Sequence, residues 1–188
     1  FKKYMKTVRK EKIGILTELM MAATIGSDSS SSKINKALEI CIEQVNNNNK
    51  IIIFSKFNKI LDLMLESLKQ AKIDCELVTG VFEHSDRNFK ISRFRNDADC
   101  KVLVINLAVG SEGLTLTEAN NVIFLNEAWN PSMNRQAEDR VNRLGQRKPV
   151  NIHIIRSLDT IDIALEKILD NKFSLETEYV DELINQLV

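Results

Sequence analysis

Short apolar runs alternate with longer segments of helical spacing through most of the chain. The apolar runs are rich in β-branched residues, which is typical of strands buried in a parallel sheet. Five such runs are predicted, at residues 50–55, 75–78, 101–106, 121–126 and 150–155. Strands that alternate with helices in this way predict an α/β fold, a parallel sheet covered by helices on both faces. Ligands of such sheets bind where the strands end, so the loops after the strands are the candidate sites.

The segments between the strands carry apolar residues three and four positions apart, as in amphipathic helices. Helices are predicted at 33–45, 57–72 and 85–95, and from Asn130-Pro131 to Lys148-Pro149. Ser32 is the expected N-cap of the first of these helices. In the third helix, three side chains are expected to face inward: Phe89, Ile91 and Phe94.

Two further segments flank this α/β unit, which is predicted to span residues 33–158. Residues 1–32 begin with a basic stretch, become apolar with helical spacing, and end in the Ser-rich linker Gly26–Ser32. Residues 159–188 are predicted to be helical nearly to the end, with an apolar side that packs on the sheet (Ile163, Leu165, Ile168 and Leu169). Because the chain starts at Phe1 and not at Met, we expect it to be a piece of a longer protein.

Composition narrows the class of protein. Apolar residues make up 44% of the chain and charged residues 28%, with a formal net charge of zero. The chain is therefore not a polybasic nucleic-acid binder, and an anion site must come from local arrangement. No apolar run approaches the ~20 residues of a membrane span, and no signal peptide is predicted. Cys41, Cys75 and Cys100 are widely spaced, which favours structural thiols in a reduced intracellular setting over a metal site.

The predicted helix after Pro131 concentrates cationic side chains. At about 100° per residue, one narrow stripe holds Gln136, Arg140, Arg143 and Arg147. The neighbouring stripe is apolar and suited to a core: Ala137, Val141 and Leu144. Guanidinium groups that point in one direction are suited to an anion. The alternative is an ordinary surface helix whose arginines are solvated or paired with Glu138 and Asp139.

A glycine-containing loop, residues 107–117, follows the third strand. Gly110 and Gly113 could let the backbone approach a phosphate, or could simply allow a tight turn. The loop matches neither G-x-x-x-x-G-K-[ST] nor G-x-G-x-x-G, and the chain has no acidic D-E-x-H box. The chain alone is therefore not expected to hold a nucleoside triphosphate in the usual way.

The chain from about residue 33 to 171 resembles the SWI/SNF-type helicase-like ATPases of superfamily two. Residues 136–146, QAEDRVNRLGQ, resemble motif VI of that family, and Trp129-Asn130-Pro131 is similar to the signature just upstream. Residues 107–116 resemble motif V and residues 51–57 resemble motif IV. Thr79-Gly80, Arg87 and Phe94 match the family's G…R…F pattern, which lies between motifs IV and V. Three positions depart from the family: Asn126 and Asn142 replace a frequent acidic residue and a common histidine, and Ser111 replaces a second glycine.

The resemblance implies the second RecA-like lobe of an ATP-driven double-stranded DNA translocase. Arg140 and Arg143 would be arginine fingers. Nucleotide binding and coupling would involve Gln136, Asp139, Glu112 and Gly113. Contacts to the DNA backbone would come from Ser55, Lys56, Gly80, Arg87, Asn106, Gly110, Ser111, Trp129 and Asn130.

The implied cofactors are ATP and Mg, held mainly by a first lobe outside this chain, so the chain alone is expected to be inactive. The implied partners are that lobe and double-stranded DNA, without a membrane. The helical tail would also brace the two lobes. The implied setting is intracellular, in the cytoplasm of a bacterium or the nucleus of a eukaryote. Two alternatives stay open: a non-enzymatic scaffold or DNA-docking module, and a strand-separating or restriction-type helicase lobe.

Overall fold

The structure is a computed structural model that describes residues 14–25, 31–110 and 113–170. The basic start, most of the Ser-rich linker, the tail beyond residue 170, Ser111 and Glu112 lie outside the described residues. None of the helices described is long and apolar enough to cross a membrane.

Helices and strands alternate as the apolar pattern predicts. The helices are α1 (14–24), α2 (Ser32–Asn46), α3 (Asn58–Gln70), α4 (His84–Asn96), α5 (Leu107–Gly110), α6 (Pro131–Glu138) and α7 (Ile161–Asp170). The strands are β1 (Ile51–Ser55), β2 (Cys75–Val78), β3 (Val102–Asn106), β4 (Asn121–Phe124) and β5 (Asn151–Ile154). The predicted parallel α/β sheet with helices is confirmed.

The strands form one sheet in the order β2-β3-β1-β4-β5, and every neighbouring pair is parallel. From the central strand β1 the chain passes through α3 to the edge strand β2 and returns through α4 to β3. It then crosses to β4 on the other side of β1. The carboxyl ends of β1, β3 and β4 therefore meet where the direction of winding changes, which is where open α/β sheets bind ligands.

Alternating residues of each strand face opposite sides of the sheet and build two cores. Ile51 and Ile53 pack with α1, α2, α3 and α7, whereas Ile52 and Phe54 pack with α4 and α6. All four of these side chains are fully buried. Because burying one large apolar side chain stabilises a fold by about 1.5–3 kcal/mol, these four strand residues contribute strongly to stability.

Two local predictions are wrong. The N-cap of α2 is Ser31, not Ser32: the Ser31 hydroxyl accepts the amide of Ile34 at 3.2 Å, and Ser32 is already helical. Phe89 is 71% exposed, whereas Ile91 and Phe94 are buried as expected. Ile91 and Phe94 are three residues apart and share one face of α4, and Phe89 lies roughly 140–160° from both.

Candidate functional site

The carboxyl ends of β1 and β4 are joined by a buried chain of hydrogen bonds. The Ser55 hydroxyl donates to Asn126 Oδ1 at 2.9 Å and accepts the amide of Phe57 at 3.1 Å. Asn126 Nδ2 donates in turn to Thr24 Oγ1 at 2.9 Å. Ser55 is fully buried and its hydroxyl is engaged. Its contact with DNA stays a prediction that would require this edge to open.

Lys56 and Trp129 lie side by side above this buried chain. Lys56 Nζ is 5.9 Å from the centre of the Trp129 ring and 5.9 Å from that of Phe57. Burial lowers the pKa of Lys56. The indole Nε1 of Trp129 is buried and has no hydrogen-bond partner among the described residues. Asn130 caps α6 by accepting the amide of Ser132 at 3.0 Å, with Pro131 at the first helical position.

Asn106 connects the ends of β3 and β1. Its Nδ2 donates to Asn58 Oδ1 at 2.7 Å and to the carbonyl of Lys56 at 3.3 Å. Its Oδ1 accepts the amide of Ala108 at 3.0 Å, which turns the chain into α5. Asn106 and Lys56, both predicted to contact DNA, are thus brought to one edge.

The three glycines at this edge differ in how the surrounding structure constrains them. A Cβ added at Gly110 would lie 2.4 Å from Cε1 of Phe54, so this position needs glycine for packing against β1. Gly113 has φ +54, a left-handed conformation that favours glycine, in open space. Gly80 is exposed beside Val109, whose Cγ2 would be 3.8 Å from an added Cβ. Approach to a phosphate stays a prediction for all three.

Arg87 lies in a shallow cleft between α4 and the chain that follows α5. The cleft is lined by His84, Arg87, Asn88, Ile91, Val109 and Leu114. The Nε of Arg87 is buried and lacks a hydrogen-bond partner within the described part of the chain.

The predicted long helix after Pro131 is wrong in extent. Helix α6 ends at Glu138, and residues 139–148, here called the arginine loop, are turns and irregular backbone. Directly after Glu138 the amides of Arg140 and Val141 bond three residues back, to Ala137 and Glu138, and the carbonyl of Arg140 accepts the amide of Leu116 at 2.8 Å. Gly145 then takes φ +107, outside any right-handed helix. The single cationic stripe therefore does not form.

The predicted apolar stripe is confirmed at two of its three positions. Ala137 and Val141 are fully buried, as predicted, whereas Leu144 is 99% exposed, so its core assignment is wrong. Leu144 lies after the helix has ended and no longer follows the apolar face of Ala137.

Both predicted arginine fingers are next to residues 115–116, just after Gly113. Nη1 of Arg143 donates to Thr115 Oγ1 at 2.9 Å, and the half-buried Arg140 is tied through its carbonyl to Leu116. Arg143 is exposed and forms no ion pair within the described residues. Gln136 bonds back to Ser132 Oγ at 3.3 Å within α6, and Asp139 is exposed at the helix end. The structure thus brings the arginine loop and the glycine loop together.

Gln146 is a structural residue whose role the sequence did not reveal. Its Nε2 donates to three carbonyl groups, those of Thr117 (3.2 Å), Ala119 (2.7 Å) and Val141 (3.3 Å). Its Oε1 accepts two amides, those of Arg147 (2.9 Å) and Lys148 (3.0 Å). One side chain therefore closes the arginine loop onto the segment before β4. The one local sequence feature that could have pointed to this role is the position of the glutamine directly after Gly145, where a helix is easily interrupted.

A five-stranded parallel sheet in the order β2-β3-β1-β4-β5, with helices on both faces and a glycine loop after β3, is the architecture of a RecA-like lobe. The family described as "Helicase conserved C-terminal domain" matches residues 32–145, more than half of the chain. The chain belongs to this family, and its relatives place it among SWI/SNF-type proteins.

One relative is an uncharacterised ATP-dependent helicase of Schizosaccharomyces pombe, 37% identical over 172 residues, which covers 88% of this chain and 16% of the relative. Another is the ATP-dependent helicase FUN30 of Saccharomyces cerevisiae, 33% identical over 138 residues, which covers 73% of this chain and 12% of the relative. The chain thus spans less than one fifth of the length of either relative.

Solved structures agree with this assignment. The C-terminal part of the Fun30 ATPase domain has a TM-score of 0.75 and 30% identity, covering 84% of this chain and 54% of that one. The Sulfolobus solfataricus SWI2/SNF2 ATPase core in complex with dsDNA has a TM-score of 0.75 and 26% identity. That match covers 93% of this chain and 42% of the other.

Proposed function

We propose that this chain is the second motor lobe of an ATP-dependent double-stranded DNA translocase of the SWI/SNF type. The observation that carries the proposal is the arginine loop, which is held against residues 115–119 of the segment that leads into β4. There Arg143 is fixed through Thr115 and Arg140 through Leu116, and the guanidinium of Arg143 has no carboxylate partner in the described residues. The charge of Arg143 is therefore available to an anion from outside the lobe.

The proposed anion is the γ-phosphate of ATP held mainly, with its Mg, by a first lobe outside this chain. Arginine suits this task because its planar fork binds phosphate oxygens bidentately and stays charged. Charge that develops in the transition state would be stabilised by Arg140 and Arg143. Gln136, Asp139, Glu112 and Gly113 are proposed to help bind the nucleotide and couple the loops.

The proposed DNA surface is the carboxyl edge of the sheet at β1, β2 and β3. Lys56 and Trp129 offer a cation over an aromatic face, and Arg87 offers a guanidinium group in the cleft beside α5. Gly80, Asn106, Gly110, Ser111, Asn130 and Ser55 complete the proposed set. Contacts of this kind position DNA through its phosphates without reading bases.

The proposed domain arrangement is a lobe at 33–158, a helical lead-in at 1–32 and a brace at 159–188. We also propose an intracellular setting, nuclear if the source is a eukaryote. Relatives include proteins printed as the DNA repair protein rad8 and the ATP-dependent DNA helicase DDM1.

The test is Arg143→Ala in the full-length protein, with DNA-stimulated ATP hydrolysis as the readout. We expect turnover to fall on the order of ~10³-fold, as for arginine fingers in general. Arg143→Lys should recover little, because lysine lacks the fork. The matched control is Arg135→Ala, which removes an exposed arginine from the neighbouring helix α6. Turnover of Arg143→Ala close to wild type would refute the assignment.

A further inference from the structure

We propose that Thr24, Lys33, Asn126 and Asp162 are positioning residues that hold the turn carrying Trp129 and Asn130 in one place. This turn, residues 125–130, is called the Trp129 turn below. The inference rests on the proposed function only in giving Trp129 and Asn130 a contact with DNA.

The first anchor is the Asn126 side chain. It bridges Ser55 on β1 to Thr24 on α1, and the Thr24 hydroxyl donates onward to the carbonyl of Met20 at 3.1 Å. Each hydroxyl in this chain has a partner for its proton and for its lone pairs. Asn126 is 2% exposed and Thr24 is 2% exposed, so neither group can exchange its partner for water. Buried polar groups of this kind fix one geometry, because any other would leave them unsatisfied.

The second anchor is Lys33 on α2. Its Nζ donates to the carbonyl of Leu125 at 3.2 Å and pairs with Asp162 Oδ2 on α7 at 2.5 Å, with both side chains buried. Asp162 Oδ2 also accepts the amide of Ser157 at 2.8 Å. A buried pair alone is weak evidence of stabilisation. Here, however, the ammonium also holds the backbone of the turn.

The next residues of the turn have anchors of their own. Glu127 Oε2 accepts from Arg156 Nε and Nη2 at 3.1 and 2.8 Å, and Arg156 Nη1 reaches Glu166 at 2.7 Å. The amide and carbonyl of Ala128 bond to the side chain of Asn134 at 2.7 and 3.1 Å. Every residue from Leu125 to Ala128 is therefore fixed by a polar contact.

Several of the anchors come from outside the stretch that matches the helicase family. Thr24 precedes the stretch 32–145 that matches the helicase family, and Arg156, Asp162 and Glu166 follow it. The flanking helices α1 and α7 thus belong to the positioning of the site and are more than linkers. Truncation to the matched stretch would leave the turn without half of its anchors.

The test uses Trp129 as a reporter, since it is the only tryptophan of the 188-residue chain. Thr24→Val removes the acceptor for Asn126 at nearly constant volume, and Thr24→Ser retains it. In Thr24→Val we expect stronger acrylamide quenching of Trp129. We also expect amide exchange of Leu125 and Ala128 to rise about fivefold, the effect of one lost hydrogen bond. Thr24→Ser should behave as wild type.

A merely structural role would not give this signature. Ile91→Val trims the other core, at the β2 and β3 side of the sheet, and should lower stability without changing the quenching of Trp129. If Thr24→Val fails to fold, the double variant Lys33→Met with Asp162→Leu removes the second anchor without leaving an unpaired charge, and the same two readouts apply. Unchanged quenching and exchange in the folded variant would overturn the proposal.

Binding of duplex DNA by the full-length protein separates this inference from the proposed function. A looser turn with severalfold weaker DNA binding supports both. A looser turn with unchanged DNA binding refutes the proposed DNA contact of Trp129 and Asn130 while the anchoring itself stands. Neither result bears on the hydrolysis expected of Arg143→Ala, so the two failures are distinguishable.

Discussion

The two ends of helix α6 differ in how they are held. At its amino end, the Trp129 turn is fixed by buried partners from α1, α2, β1 and α7. At its carboxyl end, the arginine loop is fastened mainly through Gln146 and the carbonyl of Arg140, and most of its side chains apart from the buried Val141 are exposed. Arg143 and Arg147 are exposed, and Leu144 is 99% exposed.

This difference shows how the two ends of one short helix can serve two purposes. The polar groups of residues 125–128 are paired with partners inside the lobe, so this part of the Trp129 turn is held in one geometry and can present a fixed surface. Exposed groups in the arginine loop, such as the guanidinium of Arg143 on Thr115, can exchange a protein partner for water or a ligand at little cost. The loop is therefore suited to meet a second lobe that approaches and leaves, which is what the proposed cycle of ATP hydrolysis requires.

The largest loss of stability should come from variants that break the anchors at the amino end of α6. Lys33→Met leaves Asp162 buried without its cation and should lower the free energy of unfolding by about 3–5 kcal/mol. Adding Asp162→Leu should recover most of the loss, because it removes the stranded charge. Urea denaturation of the two variants measures this difference. Equal stability of the single and double variants would contradict a buried pair at this place.

A smaller loss of stability is expected at the carboxyl end of α6, in the arginine loop. Gln146→Ala removes the side chain that closes the arginine loop and leaves half-buried carbonyl groups without a donor. We expect a loss of about 1–3 kcal/mol in urea denaturation. Trp129 quenching should not change, since Gln146 does not contact the Trp129 turn. A change in quenching as large as that of Thr24→Val would show that the two ends of α6 are not independent.

The smallest effect should follow from Leu144→Ser. A leucine that is 99% exposed buries nothing within the lobe, so the free energy of unfolding should change by less than about 0.5 kcal/mol. Val141→Ser is the matched comparison, three residues earlier and fully buried, and should cost several times more. A large loss in Leu144→Ser would mean that the arginine loop packs more tightly than described.

The sequence predicted the sheet well because β-branched runs such as 51–54 are a local signal of burial. It failed where long-range partners decide the local structure. Beyond the end of α6 the carbonyl of Arg140 accepts the amide of Leu116, and periodicity carries no information about such a contact. The anchors of the Trp129 turn join residues 102 and 92 positions apart, Asn126 to Thr24 and Leu125 to Lys33. Family motifs pointed to Trp129 and Arg143 but not to the groups that hold them.

Hydrogen exchange of the 188-residue chain tests the contrast between the two ends most directly. The amides of Leu125 and Ala128 donate to Phe54 O at 2.9 Å and Asn134 Oδ1 at 2.7 Å. The amides of Leu144 and Gly145 lie in the exposed part of the arginine loop. The account predicts slow exchange for Leu125 and Ala128, near the rate of global unfolding, and fast exchange for Leu144 and Gly145. Equal protection of the two pairs, or greater protection of Leu144 and Gly145, would contradict it.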